Sequence, residues 1–108
     1  MSDESFKEFV LDQLRGLDGV AARPMFGGYG LYGGAAFFGI LFKGRLYFKT
    51  TLATRSKYLH EGMKPFTPNK KQTLKNYYEV PVDVIESADR LVAWAAEAMP
   101  GSGVAKNR

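Results

Sequence analysis

Cysteine is absent from this 108-residue chain, which excludes disulfides, thiolate catalysis and cysteine-ligated metal and fits a reducing compartment. Histidine occurs once, as His60, so a histidine-rich metal centre is excluded as well. There is no G-x-S-x-G nucleophile elbow and no Walker-type glycine-lysine loop. No apolar run approaches the roughly 18 residues needed to span a bilayer, and the opening Met1-Ser2-Asp3-Glu4 does not read as a targeting signal. These absences lead to the expectation of a cytoplasmic, non-enzymatic protein with no catalytic residue, no metal, no cofactor and no membrane partner. Tyr29, Tyr32, Tyr77 and Tyr78 carry ionisable hydroxyls, but tyrosines in strands ordinarily serve packing, with a hydrogen-bonding tip.

Acidic residues are scarce in one region only. Between residues 19 and 78, ten basic residues (Arg23, Lys43, Arg45, Lys49, Arg55, Lys57, Lys64, Lys70, Lys71, Lys75) meet Glu61 alone, a net charge of +9. Residues 1–18 and 79–108 carry −3 and −2, which completes the total of +4. Two arrangements account for this segregation: acidic helices lying beside a basic sheet, or a basic surface that attracts an anionic partner such as nucleic acid.

The most informative stretch present is Arg23-Pro24-Met25-Phe26-Gly27-Gly28-Tyr29-Gly30-Leu31-Tyr32, which describes a shaped backbone and supplies almost no reactive side chain. Gly28, Gly30 and Gly33 satisfy the G-x-G-x-x-G pattern, but that pattern receives a pyrophosphate only where the glycines end a strand and open a helix. Here an aromatic and branched run, residues 36–42, follows and reads as another strand. No acidic residue lies about twenty positions on to hold a ribose. The glycines are read instead as places where the backbone conformation or a close approach leaves no room for a Cβ.

Phe6, Phe9, Val10, Leu14 and Leu17 recur at helical spacing, with Ser2 or Asp3 as N-cap and Gly16 or Gly19 at the end. Glu4, Glu8 and Asp12 form the solvated side of that helix. Residues 20–32 read as extended chain broken by glycine, and Pro24 argues for a sheet edge or a strand start. Gly33-Gly34 marks a turn. Residues 37–42 and 45–50 make a hairpin across Lys43-Gly44, where the glycine supplies the positive φ of a two-residue loop. That loop sets Phe42 opposite Arg45, Leu41 opposite Leu46, Ile40 opposite Tyr47, Gly39 opposite Phe48 and Phe38 opposite Lys49. One face, with Phe37, Leu41, Leu46 and Phe48, then packs on the helices, and Gly39 leaves room for the ring of Phe48. The other carries Phe38, Ile40 and Phe42 against Arg45, Tyr47 and Lys49 and is too apolar to be simply wet. Either a second subunit covers it or it offers aromatic platforms and cations to a nucleic acid. A homodimer is the preferred reading, since monomers seldom expose a large apolar patch, and Phe38, Ile40, Phe42 and Tyr47 are its interface candidates.

Residues 52–61 read as a short helix with Thr50 or Thr51 as cap, Gly62 just past its end and His60 beside its terminal carbonyls. Phe66-Thr67 and residues 74–80 read as a second hairpin across Asn69-Lys70-Lys71-Gln72, a loop that is either a solvated tip or a phosphate contact. Pro81 stops the strand. Val84, Ile85, Ala88, Leu91, Val92, Ala95 and Met99 lay an apolar stripe along the last helical segment, with Ser87 as a restart cap after an irregular turn at 83–86. Trp94, beside that stripe, is a core or interface anchor. Residues 1–99 thus form one domain and 100–108 a disordered tail. The order is helix, three strands, helix, two strands, helix, an α+β domain with an antiparallel sheet. Direct nucleic-acid binding, the alternative to protein docking, would use Arg45, Tyr47, Lys49, Lys70, Lys71 and Lys75.

Met25-Phe26-Gly27-Gly28-Tyr29-Gly30, Phe38-Gly39, Leu46-Tyr47-Phe48-Lys49, Gly62 with Pro65-Phe66, Tyr77-Tyr78-Glu79-Val80-Pro81 and Trp94 are similar, in this order, to the motifs of the TfoX (Sxy) N-terminal domain family. The resemblance covers nearly the whole chain. It implies the same α+β order, in an architecture shared with type III secretion chaperones, which commonly dimerise. It implies in addition a protein-interaction domain working in or beside transcriptional regulation. The family's full-length competence regulator resembles a co-activator of a cAMP receptor-type transcription factor and carries a second, helical domain. A stand-alone first domain is expected here.

Overall fold

The structure, a computed structural model, describes residues 3–25 and 27–99. The readings of Ser2 as a cap, of Phe26 and of a 100–108 tail lie outside the described residues. In chain order the elements are α1 (Asp3–Gln13), β1 (Val20–Met25), β2 (Gly28–Gly33), β3 (Ala36–Phe42), β4 (Arg45–Lys49), α2 (Leu52–His60), β5 (Pro65–Asn69), β6 (Gln72–Glu79), α3 (Val82–Ile85) and α4 (Ala88–Ala98). The six strands form one antiparallel sheet in the order β1-β2-β3-β4-β6-β5. The α+β order expected from sequence therefore holds, with two refinements. The extended stretch before residue 33 is two strands, folded back at Gly27 with φ 80°, and residues 82–85 form a helical turn of their own. Pro24 and Pro68 sit in the two edge strands, where one side of the ladder needs no N–H donor.

Turn chemistry fixes the central register. Lys43 (φ 50°) and Gly44 (φ 75°) both take left-handed conformations, the two positive φ values of a type I′ hairpin turn. The predicted pairs Phe42–Arg45, Leu41–Leu46, Ile40–Tyr47 and Gly39–Phe48 all form. The predicted Phe38–Lys49 pair does not. Leu31 pairs with Gly39 but Tyr32 pairs with Phe37, so Phe38 is an extra residue in β3, and a β-bulge reverses the alternation beyond it. Phe38 consequently turns to the helix side, fully buried with its ring 5.8 Å from that of Phe48. Phe37 turns to the opposite face, the reverse of the sequence assignment for both residues.

The helices cover one face of the sheet. Val10 of α1 and Leu14 just after it, Tyr58 of α2, Val84 and Ile85 of α3, and Leu91 and Ala95 of α4 pack with Leu31, Phe38, Leu41, Leu46 and Phe48. Local chemistry sets the helix limits. Thr51 and Thr54 form a capping box on α2, and Gly62 (φ 77°) ends it with N–H bonds from Gly62 to Leu59 O and from Met63 to Tyr58 O, both 3.0 Å. Ser87 caps α4, as its position predicted, by accepting from the Arg90 N–H. Phe9, assigned by spacing to the α1 core stripe, is 37% exposed.

The chain itself covers the centre of the opposite face. Pro65 pairs with Tyr78 but Phe66 with Leu74, and these irregularities bend the β5–β6 hairpin across the sheet. Phe66 is fully buried, its ring 4.7 Å from Tyr47 and 5.4 Å from Phe42. Ile40 and Tyr47 are left 1% and 8% exposed, in a second small core with Met25, Phe37, Phe42, Leu74 and Tyr77 around it. Of the dimer-interface candidates, Phe38, Ile40 and Tyr47 are thus interior residues of the protomer, and Phe42 alone keeps partial exposure.

Candidate interaction surfaces

An apolar cleft opens where α1, α3 and the β3–β4 turn meet. Phe6 and Phe9 line one side, Val82 and Ile85 the other, Gly44 closes the end, and Glu86 supplies a charged edge to a volume of about 400 Å³. The walls are held together by the Gln13 amide, which donates to Ile85 O at 2.9 Å and ties α1 to α3. Phe9 and Val82, at 37% and 63% exposure, turn large apolar groups to solvent at this cleft. Sequence reasoning missed it. A helical stripe of Phe6, Phe9, Val10 and Leu14 is wider than the sheet can cover, and only the position of α3 shows which residue is left outside.

On the sheet face away from the helices, a row of half-buried rings crosses the strands. The Arg23 guanidinium lies 4.8 Å from the centre of the Tyr32 ring, Tyr32 lies 5.3 Å from Phe37, and Phe37 lies 5.5 Å from Tyr77. Gly30 makes this row possible. A Cβ there would meet Met25 Sδ at 2.8 Å, Phe37 Cε1 at 3.0 Å and Tyr32 Cε1 at 3.2 Å, so the missing side chain is the space into which the three lean. At Gly28 a Cβ would collide with the carbonyl oxygen of Leu41 on the neighbouring strand. Neither glycine has a positive φ. Close approach, of the two reasons expected, is the one that applies.

The sequence-derived cationic candidates scatter around this face. Arg45 is engaged: its Nη1 donates to both oxygens of Glu79, at 3.0 and 2.9 Å. Glu79 is the only acidic residue in any of the six strands. Lys49 is exposed and sits opposite Tyr77 on the adjacent strand. Lys70 and Lys71 form the exposed tip of the β5–β6 hairpin, where the Lys71 N–H donates to Asn69 Oδ1 at 2.9 Å, and Lys75 is exposed in β6. Burial pushes the Tyr47 and Tyr77 hydroxyls above their ordinary range, with Glu79 adding to the effect at Tyr47 and Tyr32 at Tyr77. Both are therefore weaker acids than free tyrosine.

Elsewhere the remaining sequence candidates find structural partners. Trp94 is half-buried, edge-on to Tyr58 at 4.8 Å, with the Lys57 ammonium 4.3 Å from its ring and also paired with Glu97. Tyr78 packs on Tyr58 at 6.2 Å, and Val80 behind Pro81 is fully buried. Glu4, Glu8 and Asp12 are exposed, as a solvated face requires, and His60 is exposed in the last turn of α2. Among the described residues no group of three or more His, Cys, Asp or Glu is placed to hold a metal ion, and no helix is long and apolar enough to cross a membrane.

Four helices on one side of a bulged antiparallel sheet, with a glycine-aromatic strand pair at its edge, define a small α+β domain. The TfoX N-terminal domain family model matches residues 12–101, and the chain belongs to that family. A search of curated proteins finds no match.

Proposed function

We propose that this chain is a non-catalytic, competence-related regulatory domain that acts as a transcriptional co-regulator by docking on another protein through the α1–α3 cleft. Family membership supports the regulatory class. The observation that carries the docking reading is that Phe9 and Val82, two of the four large apolar side chains exposed among the described residues, stand around one concave cleft, whereas the other two, Leu52 and Leu59 of α2, do not line it. Exposed apolar groups gathered in a concavity mark a contact site, whereas isolated ones need no explanation. The sequence argument for self-association rested on an uncovered sheet face and on a resemblance to an architecture that commonly dimerises; Phe66 over that face removes the first support, and the cleft favours a partner of different sequence, of which a cAMP receptor-type transcription factor is the family's example.

Photo-crosslinking amino acids placed at positions 9 and 82, and at exposed Ala93 as a control, test the reading in cells. Adducts with one transcription-associated protein are expected from positions 9 and 82 and not from 93. Adducts with a second copy of this chain at 9 and 82 would assign the cleft to a homodimer instead. Labelling of no protein from either position would overturn the docking reading.

A further inference from the structure

The β5–β6 hairpin covers Ile40 and Tyr47 but leaves the row Tyr32, Phe37 and Tyr77 half-exposed on the same face. Three features of this row point to one kind of occupant. Its rings follow one another at 5.3 and 5.5 Å with tilts of 42° and 36°, so they form a connected aromatic surface in place of separate packing residues. Cations stand along it, Arg23 over Tyr32 and Lys49 beside Tyr77, and among the described residues neither is in an ion pair. Carboxylates are excluded from it, since Glu79 is the only one in the strands and Arg45 holds it.

We propose that this row is a stacking platform for single-stranded nucleic acid, with bases on Tyr32, Phe37 and Tyr77 and phosphates at Arg23 and Lys49. Stacking on partly exposed rings needs unpaired bases, which a duplex does not offer, and a basic groove with aromatic side chains is the general solution for binding single strands. An acidic protein segment satisfies the charges but brings nothing to the rings. The platform lies on the face away from the helices, so it is independent of the α1–α3 cleft. A domain with both sites would bring its protein partner to a single strand.

Titration of a fluorescent oligothymidylate at several salt concentrations tests this, with the matched duplex and polyglutamate as competitors. Micromolar or tighter binding is expected at low salt, weakening as salt rises with a logarithmic slope of about −0.7 for each phosphate contacted. The double variant Arg23→Glu, Lys49→Glu changes only exposed side chains and is expected to weaken binding at least about tenfold and to flatten the salt slope. Tyr32→Leu keeps the charges, removes a ring, and is expected to cost about tenfold at unchanged salt slope. Phe9→Asp in the cleft is expected to change nothing. Absence of binding at low salt, binding unaffected by the charge reversal, or displacement by polyglutamate as effective as by oligothymidylate would each overturn the proposal. If Tyr32→Leu is unfolded by circular dichroism, Tyr77→Leu serves as the aromatic test under the same criteria.

Discussion

The two faces of the sheet are both apolar at the centre, yet they are closed by different means. Helices α1 to α4 cover one with a broad layer of aliphatic and aromatic side chains, and a bent two-stranded hairpin covers the other mainly through Phe66. The first closure is complete. The second stops short, leaving Tyr32, Phe37 and Tyr77 with solvent on one side. Apolar patterning tells that a face must be covered, because its transfer from water contributes about 25 cal/mol per Å². It does not tell whether the cover comes from the same chain, since a hairpin and a second subunit offer the same side chains.

If the hairpin closure is as essential as the helix closure, a charge placed under either should unfold the protomer. Ile40→Asp is expected to cost on the order of 4 kcal/mol or more, a large part of the about 5–15 kcal/mol that hold a typical domain. Leu46→Asp on the helix face should do the same. Urea denaturation checks both, and an Ile40→Asp protein that melts like wild type would break the symmetry of the comparison. Next in size, Phe66→Ala and Phe48→Ala are each expected to destabilise by about 3–5 kcal/mol. A much smaller value for Phe66 would mean that the hairpin is a loose flap.

The strand glycines sharpen the comparison at smaller scale. Gly28→Ala would have to move the Leu41 backbone, whereas Gly30→Ala meets side chains that can rotate away. Overpacking costs about 1–3 kcal/mol, with Gly28 expected at the top of that range and Gly30 at the bottom. Melting temperatures of the two variants decide this, and equal values would show that the rigid neighbour is not what matters.

Tyr58, buried on the helix side against Tyr78 and Trp94, adds a pH dependence. Burial, assisted by Glu97, raises its hydroxyl above the ordinary 10.0. A pKa higher in the folded state than in the unfolded one gives stability that is fully present below about pH 10 and lost as pH climbs towards the folded value. Stability curves at rising alkaline pH should fall for wild type and fall less steeply for Tyr58→Phe. The smallest effect belongs to the cleft rim, where Val82→Asp, at a 63% exposed site, is expected to change stability by about half a kcal/mol or less, as exposed sites do.

Much of the fold was legible because it rests on local chemistry. Lys43-Gly44, Thr51, Gly62, Ser87 and Pro24 each declare a turn, a cap or a boundary through backbone requirements that depend on few neighbours. The bulge at Phe38 was not legible. In the run Phe37-Phe38-Gly39-Ile40-Leu41-Phe42 every residue suits either face, so no alternation marks where the extra residue enters. The bend of β5–β6 was hidden because the register shifts on either side of Phe66 come from unequal numbers of residues on the two strands, which neither strand's sequence shows alone. Of the surfaces, Lys49 was placed on the second face, where the structure leaves it exposed. Tyr32 and Phe37 were not, because their exposure follows from the bulge and from how far the hairpin reaches.

Nuclear Overhauser contacts between the ring of Phe66 and the rings of Tyr47 and Phe42 test the hairpin closure most directly, measured on a sample that mixes isotopically labelled and unlabelled chains. Ring centres 4.7 and 5.4 Å apart predict strong contacts arising within a single chain. Contacts appearing only between labelled and unlabelled chains, or no contact at all, would contradict the claim that this protein covers its second sheet face by itself.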